Sequence, residues 1–332
     1  MTIRSFFLLV LLSCNSLLAA GVQLENFDYP FPVERFSFES QKLELQMAFM
    51  DLVPDKPNGE VVVLLHGKNF SGAYWEQTAK ALVDGGYEVV IPDQIGFGKS
   101  SKPEHYQFTL QQLAENTHQL LRTRAISSAH IVGHSMGGMI ATRYALMFPN
   151  KTRSLVLVDP LGLEDWRAKG VPYVSIDQAY EKELKQTRDT LQKYEADNYY
   201  GGKWKPEYGR WVDMFGEFMK SPEYPKMAWN QALTFDMIMT QPVCYEFNRL
   251  KMPVLLVIGQ NDHTALGKEL VKEEVAKTLG NYPELGKAAA SQMPNAKLVQ
   301  LEGIGHLPHV EDFPRFIEPV KSFLKEQIHA EK

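Results

Sequence analysis

Short apolar runs alternate with segments of helical spacing along most of this chain, and no other feature restricts the fold as much. The runs are rich in Val, Ile and Leu, as is typical of strands buried on both faces of a sheet. They read EVVVLLHG, YEVVIPD, AHIVGH, RSLVLVDP, MPVLLVIGQND and AKLVQLEGIGH. This order predicts an α/β fold, with a doubly wound, mostly parallel sheet covered by helices on both faces. Ahead of these runs, ELQMAFMDLV predicts an edge hairpin strand.

The alternation breaks between residues 161 and 247, where charged helical spacing is followed by an aromatic-rich stretch. We interpret residues 161–247 as an inserted helical cap between two parts of the core, residues 21–160 and 248–332. The aromatic side chains of the cap either line an apolar substrate pocket or form the core of the cap itself, and for any single one we favour the second. They include Trp204, Tyr208, Trp211, Phe215 and Trp229.

The first 20 residues have the organisation of a signal peptide. Arg4 precedes an apolar stretch from Phe6 to about Ala20, and small residues follow. We therefore expect cleavage near Ala20 or Gly21 and a periplasmic or secreted protein, with no membrane span after cleavage. An uncleaved anchor and lipidation at Cys14 are the alternatives.

Charge and cysteine content exclude some functions. A net charge of −5, with no Lys/Arg-rich block, argues against nucleic acid as a partner. Removal of Cys14 with the signal leaves Cys244 alone, so a disulfide framework is excluded and Cys244 is expected to be a small buried apolar residue. The sequence does not indicate an oligomeric state.

The stretch GHSMGG predicts a nucleophilic serine at Ser135. Gly-x-Ser-x-Gly is a common pattern, but here it follows a strand and opens a helix, as a nucleophile elbow requires. Gly133 and Gly137 would leave room for a serine held in poor backbone geometry, because side chains there would clash with the neighbouring strand and helix.

A serine hydroxyl needs a base to activate it. His306 lies just past the last predicted strand, at the edge of the sheet where α/β folds bind ligands, and is the predicted base. His309 is the competitor, expected instead on the following turn against the cap. His134 is next to Ser135 but is interpreted as packing, because adjacent side chains diverge on a tight turn.

The base needs an acid to orient it. Asp262 follows the strand in VLLVIGQND, and the order Ser135, Asp262, His306 is the one this architecture uses. Asp159, after the preceding strand, is the alternative acid. Asp262 could also merely cap a helix.

Two backbone amides should hold the developing oxyanion. One is predicted to come from Met136, at the start of the helix after the serine, and the other from Lys68, in the loop after VVVLLHG. His66 is interpreted as a structural hydrogen-bonding residue in that loop. The Lys68 ammonium group is expected to face solvent.

Two further patterns fail as sites. GFGKSS resembles a phosphate loop, but Asp93 stands where the first glycine is required and Pro103 disfavours the following helix, so it is a turn. Asp262 and His263 lack the additional ligands that a metal site would need. We therefore expect neither a metal nor a cofactor.

Taken together, HGKNFSGAYW, PDQIGFGKSSKP, GHSMGG, IGQNDH and GHLPHVEDFPRF resemble the α/β-hydrolase superfamily, in family order and spacing from about Gly59 to the C-terminus. Specifically, the chain resembles the capped, single-domain hydrolases related to bacterial carboxylesterases and carbon–carbon bond hydrolases. The resemblance implies an eight-stranded sheet, a helical lid after the sixth strand, and Ser135, Asp262 and His306 as catalytic triad.

Departures from related families narrow the expected activity. Epoxide hydrolases and haloalkane dehalogenases carry aspartate where this chain has Ser135, and proline iminopeptidases carry different motifs around the serine and the oxyanion loop. A serine carboxylesterase acting on small to medium esters is the main hypothesis. Carbon–carbon bond hydrolysis and cofactor-free haloperoxidase chemistry are alternatives, and a binding protein that only retains the fold is least favoured.

Overall fold

The structure is a computed structural model, and it describes residues 22–329. The predicted signal segment, residues 1–20 with Cys14, lies outside the described residues, so that prediction is not tested. Within the described range no helix is both long enough and apolar enough to cross a membrane.

One sheet of eight strands organises the molecule, in the order β1-β2-β4-β3-β5-β6-β7-β8. The strands are β1 (Glu34–Ser40), β2 (Leu43–Leu52), β3 (Val61–Leu65), β4 (Glu88–Pro92), β5 (Ala129–His134), β6 (Thr152–Val158), β7 (Val254–Gly259) and β8 (Ala296–Leu301). β1–β2 and β2–β4 pair antiparallel, and every other pairing is parallel. The predicted eight-stranded, mostly parallel α/β sheet is confirmed.

The predicted edge strand is not at the edge. β2 carries the predicted stretch but lies between β1 and β4, and β1 forms the edge. β1 reads ERFSFES, in which Phe36 and Phe38 alternate with polar residues and stack on each other at 4.9 Å between ring centroids. That period-two pattern is typical of a half-buried strand, and the sequence analysis missed it.

Helices cover both faces of the sheet, as predicted. They are α1 (Glu76–Val83), α2 (Leu110–Thr123), α3 (Met136–Met147), α4 (Ile176–Leu184), α5 (Arg188–Asn198), α6 (Gly209–Met219), α7 (Tyr224–Thr240), α8 (Glu273–Ala276), α9 (Tyr282–Gln292), α10 (Pro308–Glu311) and α11 (Phe313–His329). Alternate residues of β3 enter opposite apolar clusters, Val63 and Leu65 on one side and Val62 and Leu64 on the other. The parallel strands are therefore buried on both faces, which explains their continuous apolar sequences.

The segment between β6 and β7 contains four helices, α4 to α7. α4 packs against α7, and α5 against α6. Capping boxes start α4 at Ser175 and α5 at Thr187, where each hydroxyl accepts a hydrogen bond from the backbone amide three residues later. These helices come from the charged and aromatic stretch interpreted as a cap, residues 161–247, and the name cap is kept for it below.

Cys244 is a free thiol at the end of the cap. It is half-buried rather than fully buried, and it packs against one of the two apolar clusters. Burial raises the pKa of the thiol. An environment of this kind keeps a cysteine protonated and unreactive.

Candidate active site

The structure brings Ser135, His306 and Asp262 into one hydrogen-bonded chain. The Ser135 hydroxyl donates to His306 Nε2 at 3.0 Å, and His306 Nδ1 donates to Asp262 Oδ2 at 2.7 Å. All three side chains are buried, with exposed fractions of 4% or less. The other Asp262 oxygen accepts the Thr264 amide at 2.8 Å, which fixes the carboxylate. The carboxylate thus selects the imidazole tautomer that leaves Nε2 free to accept the serine proton.

Ser135 occupies the turn between β5 and α3 with φ 55° and ψ −122°, a conformation costly for a residue with a side chain. The surrounding glycines allow it. A Cβ on Gly133 would lie 2.2 Å from the Gly137 carbonyl oxygen, and one on Gly137 would lie 2.2 Å from the Leu65 carbonyl oxygen. The clashes with helix and strand that the sequence analysis expected are therefore present in the structure.

Two residues that the sequence analysis did not identify hold His306. The Tyr199 carbonyl accepts the His306 amide at 2.7 Å, and the Tyr199 ring stacks on the imidazole at 4.7 Å between centroids. Glu311 Oε1 accepts the amides on either side of His306, from Gly305 at 3.0 Å and Leu307 at 3.3 Å. Burial raises the pKa of Glu311 to about 7. For Glu311 the sequence does contain a signal, because the GHLPHVED segment places it five residues after His306. No such signal points to Tyr199.

Asp159, the alternative acid, lies at the end of β6 beside Asp262. Its Oδ1 accepts the Gly259 amide at 2.9 Å, and the residue is fully buried with φ 36°. Burial and the neighbouring Asp262 carboxylate raise the pKa of Asp159 well above its ordinary value. Asp262, and not Asp159, makes the hydrogen bond to His306.

His134 has a structural place, as the sequence analysis expected. Its Nδ1 is 2.9 Å from the Tyr74 hydroxyl, and its Nε2 donates to the His306 carbonyl at 2.7 Å. The Tyr74 hydroxyl in turn accepts the Gly67 amide at 2.8 Å. Burial is the main reason that the pKa of His134 falls well below its ordinary value. This neutral imidazole therefore connects the His306 loop to the loop after β3.

The remaining competitors are also structural. His66 Nδ1 donates to the Gly67 carbonyl at 2.8 Å and Nε2 accepts the Gln94 amide at 3.0 Å, so both ring nitrogens are used. His309 lies in α10 and stacks on Trp75 of the core at 4.3 Å between centroids, rather than against the cap as expected. Burial lowers the pKa of His309 to about 3.

The amides of Lys68 and Met136 are the predicted oxyanion donors. Lys68 lies in the loop after β3 and Met136 begins α3, and neither amide donates to an acceptor within residues 22–329. Lys68 and Ser135 line the same cavity. Both amides are thus unused by the fold, and their catalytic role stays a prediction.

The expectation that the Lys68 ammonium faces solvent is wrong. Its Nζ donates to Glu183 Oε1 at 3.0 Å and to Gln231 Oε1 at 2.8 Å, and only 13% of the side chain is exposed. Glu183 lies in α4 and Gln231 in α7. The cap supplies both acceptors, which single-sequence reasoning had no means of placing above this loop.

A cavity of about 320 Å³ lies over Ser135 between the core and the cap. Of the five cap aromatics considered in the sequence analysis, only Phe215 lines it. Tyr208 and Trp211 are buried in an apolar cluster with Trp204 packed against it, while Trp229 packs edge-on against Tyr180. Four of the five aromatics therefore do not line the cavity, but the cluster that holds Tyr208 and Trp211 also contains side chains of the core, so it is not the core of the cap alone.

The rejected patterns have structural explanations. Residues 96–101 form a turn around Asp93, whose carboxylate accepts the amides of Gly72 and Lys99, each at 2.7 Å. A Cβ on Gly98 would lie 2.1 Å from that carboxylate. In the part of the chain that the structure describes, no cluster of three His, Cys, Asp or Glu side chains is arranged to hold a metal ion.

Comparison with known proteins gives four informative similarities, one to a family model and three to individual proteins. Residues 60–313 match the model of a family described by the α/β-hydrolase fold. The crystal structure of a probable hydrolytic enzyme from Pseudomonas aeruginosa PAO1 is 48% identical with a TM-score of 0.90, over 92% of this chain and 97% of that one. Lipase 1 of Psychrobacter immobilis is 27% identical over 80% of this chain and 77% of its own length. The 2-hydroxy-6-oxononadienedioate/2-hydroxy-6-oxononatrienedioate hydrolase of Comamonas testosteroni is 26% identical over 53% of this chain and 66% of its own length.

Proposed function

This chain belongs to the α/β-hydrolase fold family, and on that premise we propose that it is a serine hydrolase of small to medium carboxylic esters. The observation that carries the proposal is the hydrogen-bonded chain Ser135–His306–Asp262, whose serine opens into the cavity under the cap. A nucleophile, a base in reach of it and an acid that orients the base are the parts that acyl transfer requires.

In the proposed reaction, Ser135 Oγ attacks the ester carbonyl carbon while His306 Nε2 takes the hydroxyl proton. Asp262 stabilises the imidazolium that forms. The tetrahedral intermediate collapses, the C–O bond to the alcohol breaks, and His306 returns the proton to the leaving alcohol. Water then attacks the acyl-enzyme by the same proton transfers, and the carboxylic acid leaves with Ser135 restored.

The amides of Lys68 and Met136 are proposed to hold the oxyanion of each tetrahedral intermediate. Met136 is the first residue of α3, so the positive end of the helix dipole adds to the hydrogen bond. The pair is built into the backbone and needs no reorganisation during the reaction, which is why such donors lower the barrier effectively.

The relatives support hydrolysis and leave two chemistries to separate. The Psychrobacter relative is named a lipase, which favours ester cleavage. The Comamonas relative is named a hydrolase of 2-hydroxy-6-oxononadienedioate and 2-hydroxy-6-oxononatrienedioate, which are substrates for carbon–carbon bond hydrolysis. It matches a smaller share of this chain than the lipase does. We therefore place ester hydrolysis first and carbon–carbon bond hydrolysis second.

Hydrolysis of p-nitrophenyl esters from acetate to dodecanoate tests the proposal. Wild type is expected to turn over, Ser135→Ala to lose turnover by about 10³-fold or more, and Ser291→Ala, which removes a hydroxyl on α9, to behave as wild type. Labelling by a fluorophosphonate reports the activated serine independently. Labelled Ser135 with no ester turnover would favour the carbon–carbon chemistry, and unlabelled Ser135 would overturn the serine mechanism.

A further inference from the structure

A second cavity adjoins the one over Ser135. The cavity over Ser135 is called the inner chamber, and the second, of about 360 Å³, the outer chamber. Four residues line both chambers: Lys182, Glu183, Phe235 and Glu269. The two spaces therefore share one wall, made by α4, α7 and the segment after β7.

Apart from this shared wall, the outer chamber is lined mostly by apolar residues, with Gln178 as the polar exception. The residues that line it alone are Pro172, Tyr173, Val174, Gln178, Ala179 and Leu270. Tyr173 is 58% exposed and Leu270 is 43% exposed, which is unfavourable for large apolar groups unless something covers them. Five large apolar side chains are exposed within residues 22–329, and three of them, Tyr173, Tyr194 and Leu270, line one of the two chambers. Exposed apolar side chains concentrated around two adjoining cavities are typical of a ligand-binding groove.

The shared wall contains one ion pair that can open at little cost. Lys182 Nζ lies 2.7 Å from Glu269 Oε1, and these side chains are 71% and 56% exposed. Exposed pairs of this kind add little to stability. By contrast, Glu183 is held by Lys68 at 3.0 Å, and both side chains are mostly buried. Separation of Lys182 from Glu269 would therefore join the chambers while the Lys68–Glu183 side of the wall stays in place.

We propose that the outer chamber is the subsite for the distal end of an unbranched alkyl chain on the ester, with the Lys182–Glu269 pair as its movable partition. This inference rests on the proposed ester hydrolysis. A short ester fills the inner chamber alone, whereas a longer chain extends past the partition onto Tyr173 and Leu270. Each methylene buried there raises affinity by up to about fourfold.

The test compares kcat/KM on p-nitrophenyl butyrate and decanoate. Leu270→Asp places a charge in the chamber and is expected to lower the decanoate-to-butyrate ratio by about tenfold or more. Tyr173→Asp is a second variant at a separate exposed position, with the same expected direction. Val53→Asp is the matched control, because Val53 is 67% exposed and lines neither chamber. Lys182→Ala removes the partition and is expected to raise the ratio.

A parallel series of alkyl acetates, from butyl to decyl, identifies which half of the ester the chamber holds. A change confined to the alkanoate series assigns the acyl chain, and a change confined to the acetate series assigns the alcohol. Ester turnover that depends on Ser135, with length ratios unchanged in both Asp variants, would overturn the subsite alone. Absence of ester turnover in wild type would overturn the proposed function, and the ester subsite with it.

Discussion

The ring of Tyr199 stacks on the imidazole of His306 at 4.7 Å between centroids, and the Tyr199 carbonyl accepts the His306 amide at 2.7 Å. Tyr199 directly follows α5, within the cap, whereas His306 follows the last strand of the core. The proposed base is thus fixed on one side by the acid of the core and on another by the cap. Asn69 adds to this arrangement by donating to the Tyr199 hydroxyl at 3.1 Å.

Substitution of Tyr199 separates the effect of the ring from that of the hydroxyl. Tyr199→Phe keeps the stacked ring and is expected to stay within about threefold of wild-type kcat/KM, whereas Tyr199→Ala should lose about tenfold, since an aromatic pair contributes about 0.5–1.5 kcal/mol. The measurement is ester turnover against pH for both variants. Equal activities of Phe and Ala variants would show that the ring does not position His306.

The neighbouring carboxyls of Asp159 and Asp262 are expected to respond differently to the same substitution. Burial and the Asp262 charge raise the pKa of Asp159 well above its ordinary value and so favour its neutral form. Asp159→Asn preserves that neutrality and the acceptor for the Gly259 amide, so kcat/KM should stay within about threefold of wild type. Asp262→Asn removes the charge that stabilises the imidazolium and should lower kcat by about 10⁴-fold.

Steady-state kinetics of the two Asn variants at equal protein stability checks this prediction. A loss in Asp159→Asn comparable to that in Asp262→Asn would assign the orienting role to both carboxyls together.

The features best predicted from the sequence are those that depend on a single strand or a single turn. The buried runs predict the parallel strands, and the strand–turn–helix context predicts Ser135 as the nucleophile, since a glycine-flanked turn leaves room for a serine at φ 55°. His306 and Asp262 follow from the rule that ligands bind at the carboxyl ends of parallel strands. Their contact in the structure, at 2.7 Å, agrees with that inference.

Features that depend on the cap meeting the core could not be predicted from the sequence. The Lys68 ammonium and the Tyr199 ring each contact a residue more than 100 positions away, Glu183 and His306 respectively. No local periodicity determines which cap side chain lies above which loop. The edge strand β1 was missed for a different reason, because its alternation of Phe with Glu and Ser is short and lacks the continuous apolar run of a central strand.

Replacement of glycine by alanine should change the unfolding free energy in opposite directions at two helix positions. A Cβ on Gly137 of α3 would lie 2.2 Å from the Leu65 carbonyl oxygen of β3, whereas a Cβ on Gly216 of α6 would meet nothing within 4 Å. Gly137→Ala is expected to cost about 3 kcal/mol of unfolding free energy and to displace Ser135. Gly216→Ala should add about 0.5–1 kcal/mol, because alanine loses less backbone entropy in a helix.

Thermal unfolding of both alanine variants, with ester turnover, gives the measurement. A melting temperature for Gly137→Ala equal to that of wild type would contradict the close packing of the serine turn against β3.

Glu195 makes stability depend on pH. It lies in α5, fully buried, and neither carboxyl oxygen has a hydrogen-bond partner within residues 22–329. Burial raises the pKa of Glu195 from 4.5 to about 8. Between those values the folded protein holds a proton that the unfolded chain has released, so the free energy of unfolding falls as pH rises, by up to about 1.4 kcal/mol per pH unit. Its stabilising contribution is complete below the unfolded pKa and is lost as pH rises through the folded pKa.

Glu195→Gln removes this titration while keeping the size of the side chain. We therefore expect the variant to gain stability relative to wild type progressively from about pH 5 to pH 8, in urea unfolding at each pH. Glu311, whose pKa is raised to about 7, titrates in both proteins and cancels from the difference. Glu302→Gln, at an exposed position, is the matched control. Its unfolding free energy should differ from that of wild type by the same amount at each pH. If the difference in unfolding free energy between Glu195→Gln and wild type did not change with pH, Glu195 would be solvated in solution. The end of α5, which presents Tyr199 to His306, would then be solvated as well.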